Sequence, residues 1–123
     1  KKSVQYYEKL ISFNDDREWA KKQEASIFLA LALGKLNKID EASRLINTVI
    51  VFTPLYYLGY FAKSCIFSIN AKKKPELLNV SFSALEEAIK LNPDLKEDVK
   101  WEIDLYNLRF DPVFKNKFSK LIV

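Results

Sequence analysis

The segment LGKLNKIDEASRLINTVIVFTP, residues 33–54, decides the fold class. Its apolar residues recur at the three- and four-residue spacing of an amphipathic helix, but GKLNKID (34–40) interrupts them and Thr53-Pro54 ends them. The preceding run, DDREWAKKQEASIFLALALGKL (15–36), has the pattern of one long helix with acidic residues in its first turn. We therefore predict two antiparallel helices joined by a tight turn, which together form a helical hairpin.

The pattern at the end of this segment occurs three times. The copies are YYEKLISFND (6–15), RLINTVIVFTP (44–54) and ALEEAIKLNP (84–93). Aligned at Asp15, Pro54 and Pro93, they share their apolar columns and lie 39 residues apart. A fixed period of this kind is typical of repeat architectures. Residues 49–52, VIVF, have strand propensity, but we predict a helix because the matching columns of the other copies are helical in pattern.

The rest of the chain continues the helical pattern. Further helices are expected in PLYYLGYFAKSCIFSIN (54–70), NVSFSALEEAIKLNP (79–93), DLKEDVKWEIDLYNL (94–108) and DPVFKNKFSKLIV (111–123). A longer loop, AKKKPELL (71–78), separates the first two, and its lysines are expected to form a solvated turn. Asp111 is predicted to cap the last helix, with Pro112 at its first position. The prediction is about seven helices and no strand.

Composition agrees with this class. The chain has 123 residues, which is the size of one domain, and only two glycines and four prolines, which favours long helices over many short strands. It begins at Lys1 and contains no methionine, so we expect a fragment or a processed product. No run is long enough to span a membrane and no signal peptide is recognisable, so a soluble chain is expected. A cytoplasmic chain and an exported mature chain fit equally, and the compartment is left open.

The charge pattern bears on partners. The formal charge is +4, and residues 1–62 and 63–123 contribute +2 each, without a basic arm or an acidic tail. Arginine, which suits phosphate recognition, occurs only three times. Nucleic acid is therefore not an expected partner.

The side chains that carry most enzyme chemistry are missing. The chain has no histidine, and both glycines are isolated, so Ser–His triads and glycine-rich phosphate loops are excluded. Adjacent carboxylates on a helix point apart and are expected to be solvated. Cys65 is the only cysteine, so it forms no internal disulfide and is expected to be a buried, inert thiol. We expect no catalysis, no small-molecule substrate, no cofactor and no metal.

A family resemblance follows from these motifs. The stretch LALALGKLNKIDEASRLINTVIVFTP (29–54) resembles a tetratricopeptide repeat, with Ala30 in the first helix, IDEA (39–42) after a short turn and Pro54 at the end. ALEEAIKLNPDL resembles the end of a second repeat, and LYNLRFDPVFKNKF resembles the capping segment of such arrays. The period of 39 departs from the family's 34, and Ser81 stands where the second copy should have alanine.

The resemblance implies an all-α, antiparallel helical-hairpin solenoid in a single domain, 1–123. Residues 1–15 would be the second helix of a partial repeat, 16–54 and 55–93 two full repeats, and 94–123 capping helices. Trp101, with Leu105 and Leu108, is expected to seal the last repeat, as a terminal cap must do.

A partner site is suggested by SIFLALAL (26–33), which is apolar almost all the way round. Ala30, Leu29 and Leu33 are expected to face the partner helix of the hairpin, which leaves a second apolar face. In the resembled family the first helices of successive repeats line a concave groove. The resemblance places Ile27 and Leu31 there, with Lys35 at the edge. In YYLGYFAKSCIF (56–67) the spacing of three and then four residues gives a second apolar face, which adds Leu58, Phe61 and Cys65 to the predicted groove.

This apolar groove predicts the kind of partner. It lacks the basic residues with which some family members grip an acidic C-terminus, so a protein or peptide with an apolar helical or extended segment is expected. Three alternatives stay open. The same residues form the core beneath the folded cap, or they support self-association in an architectural role with a homodimer, or, least favoured, the repeats bind nucleic acid.

Overall fold

The computed structural model describes residues 19–123, and the elements in this part of the chain are all helical, without a strand. They are α1 (Trp19–Lys35), α2 (Ile39–Phe52), α3 (Tyr57–Ile69), a 3-10 helix (Asn70–Lys72), α4 (Leu77–Leu91), α5 (Leu95–Trp101), a second 3-10 helix (Ile103–Leu105), α6 (Tyr106–Arg109) and α7 (Lys115–Leu121). The predicted all-α class is confirmed. The predicted helix at 6–15 and the start of the helix at 15–36 lie outside the described residues. Among helices within 19–123, none combines the length and the apolar character needed to cross a bilayer.

The turn in GKLNKID ends α1 with a left-handed residue. Asn37 has a φ of 64°, a conformation that asparagine adopts more readily than most side chains. The Lys38 amide donates to the Leu33 carbonyl at 2.9 Å, and the Asn37 amide donates to the Gly34 carbonyl at 3.1 Å. This is the bonding pattern of a Schellman motif, which satisfies the last carbonyls of a helix. The predicted helical hairpin is therefore present, and α2 starts at Ile39.

Gly34 serves a different purpose, because it lies within α1 where that helix meets α3. A Cβ atom at Gly34 would stand 3.1 Å from Ile66 Cγ1 and 3.2 Å from Ile66 Cγ2. Beside this contact, the Asn70 side-chain amide donates to the Gly34 carbonyl at 3.1 Å and to the Ile66 carbonyl at 2.8 Å. The absence of a side chain at Gly34 thus lets the two helices approach closely.

Two glycine substitutions are expected to have opposite effects on stability. Alanine gains about 1 kcal/mol over glycine in a helix interior. Gly59→Ala is expected to realise part of this gain, about 0.5 kcal/mol, because Gly59 lies in the first turn of α3 and the facing half-buried Ile50 must move slightly away from a Cβ at 3.2 Å. Gly34→Ala is expected to destabilise by about 1–2 kcal/mol, because Ile66 is fully buried. Urea unfolding of both variants measures the difference, and a stabilised Gly34→Ala protein would contradict the close approach.

The helices pack in a regular order. α1 contacts α2 and α3, α2 contacts α3, and α3 contacts α4. One core cluster joins α1, α2 and α3 around Ile46 and Ile66, and a second joins α3 and α4 to the C-terminal helices around Leu85 and Phe118. Leu31 packs against both clusters. The two clusters are therefore continuous through the described part of the chain.

Ser81 occupies a position where the repeat pattern predicts alanine. It is fully buried, and its hydroxyl donates to the Ser64 carbonyl at 2.8 Å. The Ser64 and Ser81 hydroxyl oxygens lie 3.2 Å apart, so the Ser64 hydroxyl can donate to Ser81 in return. The small side chain preserves the close contact of α3 with α4, and the reciprocal hydrogen bonds satisfy both buried hydroxyls.

The prediction of a single helix over 94–108 is wrong. α5 ends at Trp101, a 3-10 helix follows, and α6 starts at Tyr106. Arg109 stabilises this bend, since its Nη2 donates to the Val99 carbonyl at 2.8 Å and to the Glu102 carbonyl at 3.1 Å. Carbonyls at the end of α5 thus find a cationic donor in place of a further helical turn.

The bend brings the next helix onto α3. The Asn107 side-chain amide donates to the Ser68 carbonyl at 2.9 Å, and the Leu108 amide donates to the Ser68 hydroxyl at 3.3 Å. Leu105 and Leu108 become fully buried, but Trp101 stays 83% exposed. The expectation that Trp101 helps to seal the last repeat is therefore wrong.

The predicted start of the last helix is wrong. Regular α-helix begins only at Lys115, its N-cap is Phe114 without a side-chain hydrogen bond, and Pro112 belongs to the turn before α7. The Asp111 carboxylate accepts the Val113 amide at 2.9 Å and the Phe114 amide at 3.1 Å. Asp111 therefore stabilises the turn that leads into α7 and does not occupy the N-cap position itself.

Candidate functional site

A cavity of about 210 Å³ lies where α1 and α3 meet the segment after α4, residues 94–123, which we call the C-terminal segment. We call it the α1–α3 cavity, and its lining residues are Glu24, Ile27, Phe28, Leu31, Leu58, Phe61, Ala62, Cys65, Glu102 and Asp104. Five of the six residues predicted to form a groove are among them. The sixth, Lys35, lies outside the lining, but its Nζ is 3.6 Å from Oδ2 of Asp104. The structure thus brings the predicted residues together, while partner binding by them stays a prediction.

Helical spacing explains why these side chains meet. Ile27 and Leu31 are four residues apart on α1, and Leu58, Phe61 and Cys65 follow one another at three and four residues on α3. Since α1 packs directly on α3, the two stripes face each other across the helix–helix contact. The cavity is the space that they do not fill.

The residues that line the cavity differ in how deeply they are buried. Ile27 is 5% exposed and Cys65 is 3% exposed, so both belong to the core as well as to the cavity. Leu31 and Phe61 are half-buried, and Phe28 is 44% exposed at the mouth. Ile27 and Cys65 thus have the burial that the core alternative predicts and also border the cavity, and for the set as a whole the groove and the core both stay predictions. The more exposed side chains of Leu31, Phe61 and Phe28 form the part of the cavity that a partner could contact.

Four lining residues on α1 and in the C-terminal segment were not predicted. Phe28 adjoins Ile27 in the apolar run, so the all-round apolar pattern was a signal for it, and Glu24 precedes Phe28 by one turn. Glu102 and Asp104 reach the cavity from the bend between α5 and α6. Because a continuous helix was expected at 94–108, no sequence signal indicated that these two carboxylates would turn back onto α3.

Acidic groups surround the only thiol. Cys65 Sγ and the carboxylate oxygens of Glu102 and Asp104 all lie within 4.8 Å of one another. Burial raises the pKa of the Cys65 thiol well above its ordinary value, and the negative charges of Glu102 and Asp104 raise this pKa further, while Lys35 lowers it. The thiol is therefore protonated at neutral pH and is a poor nucleophile.

These three groups are also the one set of cysteine and carboxylate ligands within residues 19–123 that is spaced to hold a metal ion. A metal would have to displace the thiol proton, which the raised pKa of Cys65 opposes. The expectation of no metal site and no cofactor stays a prediction, and the geometry supplies no further argument for a metal.

The buried thiol of Cys65 should make the stability of the domain depend on pH. In the unfolded chain its pKa is about 8.5, whereas in the folded protein its pKa is raised. Above about pH 8.5 the folded state holds a proton that the unfolded state has lost, so the free energy of unfolding falls as pH rises toward the folded pKa. Below about pH 8.5 this contribution is constant. The loss should reach at most about 1.4 kcal/mol per pH unit.

The measurement is urea unfolding of the wild type and of Cys65→Ala from about pH 7 to about pH 10. Other groups titrate in both proteins, so the difference between the two curves isolates the thiol. The wild type should lose more stability over this range. Parallel curves would contradict a buried thiol at position 65.

A second, wider cavity has a different character. It measures about 410 Å³ and is lined in part by Lys72, Lys73 and Lys74 with Asn70. All three lysines are exposed, in keeping with the predicted solvated turn. The α1–α3 cavity is the better candidate for a binding site because its walls are apolar and its few polar groups are all carboxylates.

Comparisons with known proteins leave the assignment to the geometry. Neither models of protein families, nor curated proteins, nor solved structures gave a significant match to this chain.

Proposed function

We propose that the chain is a non-catalytic protein-interaction module that binds an apolar helical or extended segment of a partner at the α1–α3 cavity. The observation that carries this proposal is the cavity itself, which is walled by facing apolar stripes from two helices and opens at the half-exposed Phe28. Apolar pockets of this kind, rimmed by a few polar groups, are typical of partner sites.

We also infer that the helices form a solenoid similar to tetratricopeptide repeats. In such an array each hairpin packs internally, and the first helix of one hairpin packs on both helices of the hairpin before it. The contacts of α1 with α2, of α3 with α4, and of α3 with both α1 and α2 follow this order. The proposed hairpins match the predicted repeats 16–54 and 55–93 over their described residues.

The size of the cavity limits what can bind. Sites for small molecules usually measure about 300–1,000 Å³, and this one measures about 210 Å³. It suits the anchor side chain of a longer segment, with the rest of that segment lying across the mouth. Buried anchors of this kind contribute most of the binding energy in many protein interfaces.

Self-association is the second candidate. Several large apolar side chains lie exposed outside the lining of the cavity, among them Trp101 at 83% and Ile103 at 78%. If they join two copies, sedimentation should show a dimer whose population rises with concentration and falls in a Trp101→Ser/Ile103→Ser variant. A monomer at all concentrations would exclude this alternative.

A matched pair of surface variants tests the proposed function. Phe28→Gln removes the ring at the mouth of the cavity without adding a charge, and Val51→Gln makes the matching change at an exposed position, 74% accessible, outside the lining. A pull-down from source lysate should retain a protein on the wild type and on Val51→Gln and lose it on Phe28→Gln. Direct titration of that purified protein should then give the same order. Equal retention by all three would contradict binding at the cavity.

A further inference from the structure

The α1–α3 cavity carries an unbalanced negative charge. Among residues 19–123 its lining contains three carboxylates, those of Glu24, Glu102 and Asp104, and no lysine or arginine. The sign of this charge is opposite to the net charge of the whole chain, which is +4. A ligand that enters the cavity therefore meets an acidic field on a protein that is otherwise basic.

The imbalance is sharpest at the inner end of the cavity. The carboxylates of Glu102 and Asp104 approach within 4.8 Å and are half-buried. Lys35 stands 3.6 Å from Asp104, so two carboxylates share one ammonium group. In the part of the chain that the structure describes, one negative charge of the pair is thus left without a neighbouring cation, in a place where water screens it incompletely.

The neighbouring cation is engaged elsewhere. Arg109 directs its Nη2 at the backbone carbonyls of Val99 and Glu102, and its guanidinium lies 5.4 Å from the Phe118 ring centroid. The Glu102 carboxylate accepts the Asp104 amide at 3.1 Å, and within residues 19–123 it makes no ion pair. Its remaining lone pairs are available to a donor from outside the chain.

We propose that the partner segment presents a bulky apolar residue together with an arginine or lysine one or two positions away. This inference rests on the proposed function and names the partner's chemistry. The apolar side chain fills the space between Leu31, Leu58 and Phe61, and the cation reaches Glu102, while Lys35 keeps its pairing with Asp104. Arginine suits this place better than lysine, because its planar guanidinium can donate two hydrogen bonds to one carboxylate.

The same charges select against other partners. A segment that ends in a free carboxylate, or one rich in aspartate and glutamate, would bring like charges to Glu102 and Glu24. A purely apolar segment would leave the carboxylate of Glu102 desolvated without a partner, which costs binding energy.

The test is selection of peptides from a random heptapeptide library displayed on phage, against the wild-type chain, with Phe28→Gln as counter-selection. Buffers contain EDTA, so that a bridging metal plays no part. Enriched peptides should combine a leucine, isoleucine, phenylalanine or methionine with an arginine or lysine within two positions. The best peptide is then synthesised with its basic residue and with glutamine in that place.

Titration of both peptides into wild type and Glu102→Gln completes the test. Glutamine keeps an acceptor for the Asp104 amide and removes only the charge. The basic peptide should bind Glu102→Gln about tenfold more weakly than the wild type, and the glutamine peptide should bind both proteins equally. The affinity of the basic peptide for the wild type should also fall with added salt.

The outcomes separate the two proposals. Enriched peptides that are apolar without a basic residue, or that are acidic, would overturn this inference and leave the proposed function intact. So would a basic peptide whose affinity is the same for wild type and Glu102→Gln. Peptides that bind Phe28→Gln as well as the wild type, or an absence of enrichment, would overturn both.

Discussion

Replacing Ile27 by glutamate is expected to destabilise the helical domain strongly. The side chain is 5% exposed and packs in the cluster that joins α1, α2 and α3. A carboxylate at this depth must either lose its hydration without a cationic partner or be protonated, and the cost is several kcal/mol. Since a domain of this size is stable by about 5–15 kcal/mol, we expect a loss of at least about 3 kcal/mol. Thermal unfolding followed by circular dichroism measures it.

The adjacent variant Phe28→Glu is the control. Phe28 is 44% exposed at the mouth of the cavity, so a glutamate there keeps its hydration. We expect a clearly smaller loss than for Ile27→Glu, about 1–2 kcal/mol, because the half-exposed ring gives up only part of its packing, and an unaltered helical spectrum. Equal destabilisation by the two variants would contradict the orientation of α1. It would also make Phe28 unsuitable as a position for binding variants.

Phe118→Ala is expected to destabilise the domain by about 3–5 kcal/mol. Phe118 is 1% exposed and is one of the largest fully buried side chains in the described part of the chain. It lies in α7, packs in the same cluster as Leu105 and Leu108, and supports the guanidinium of Arg109. Removing the ring leaves a void and also loosens the group that holds the bend after α5. Equilibrium unfolding in urea gives the free-energy difference.

Trp101→Ala is the matched control, because it removes a larger ring from the same segment. Trp101 is 83% exposed, and we expect an effect within about 0.5 kcal/mol. If Trp101→Ala costs as much as Phe118→Ala, the C-terminal segment must fold onto α3 differently from the structure described.

The two hairpins could be predicted because their signals are local. Each signal lies within a short window of sequence: the apolar spacing, the turn in GKLNKID, and the matched columns that end at Pro54 and Pro93. The residue that makes the turn was less evident, since Gly34 attracts attention but Asn37 adopts the left-handed conformation. Gly34 is required for a contact with α3, and a contact of that range is not visible in a short window.

The C-terminal segment could not be predicted in the same way. Residues 94–108 have a continuous helical pattern, and the bend within them depends on Arg109 reaching back to the carbonyls of Val99 and Glu102. Tertiary hydrogen bonds of this kind override local propensity. The exposure of Trp101 follows from the same bend.

The candidate site was predictable to the extent that it is built from helix faces. The stripes on α1 and α3 follow from spacing, but the depth of each residue depends on how closely the helices pack. For that reason Ile27 and Cys65 belong to the core, and Phe28 lies at the mouth. The carboxylates of Glu102 and Asp104 reach the site only because the chain bends after α5. Since the sequence did not predict this bend, it did not predict the acidic character of the site.

The most direct test of partner binding at the α1–α3 cavity is methyl-selective NMR on the isoleucine-, leucine- and valine-labelled chain. The peptide enriched by selection is titrated in, and shift changes are mapped onto the structure. We expect the largest changes at the methyl groups of Leu31 and Leu58, a smaller change at Ile27, and almost none at Ile89 and Val99 in the second cluster. Changes confined to methyl groups remote from the cavity would contradict the central claim.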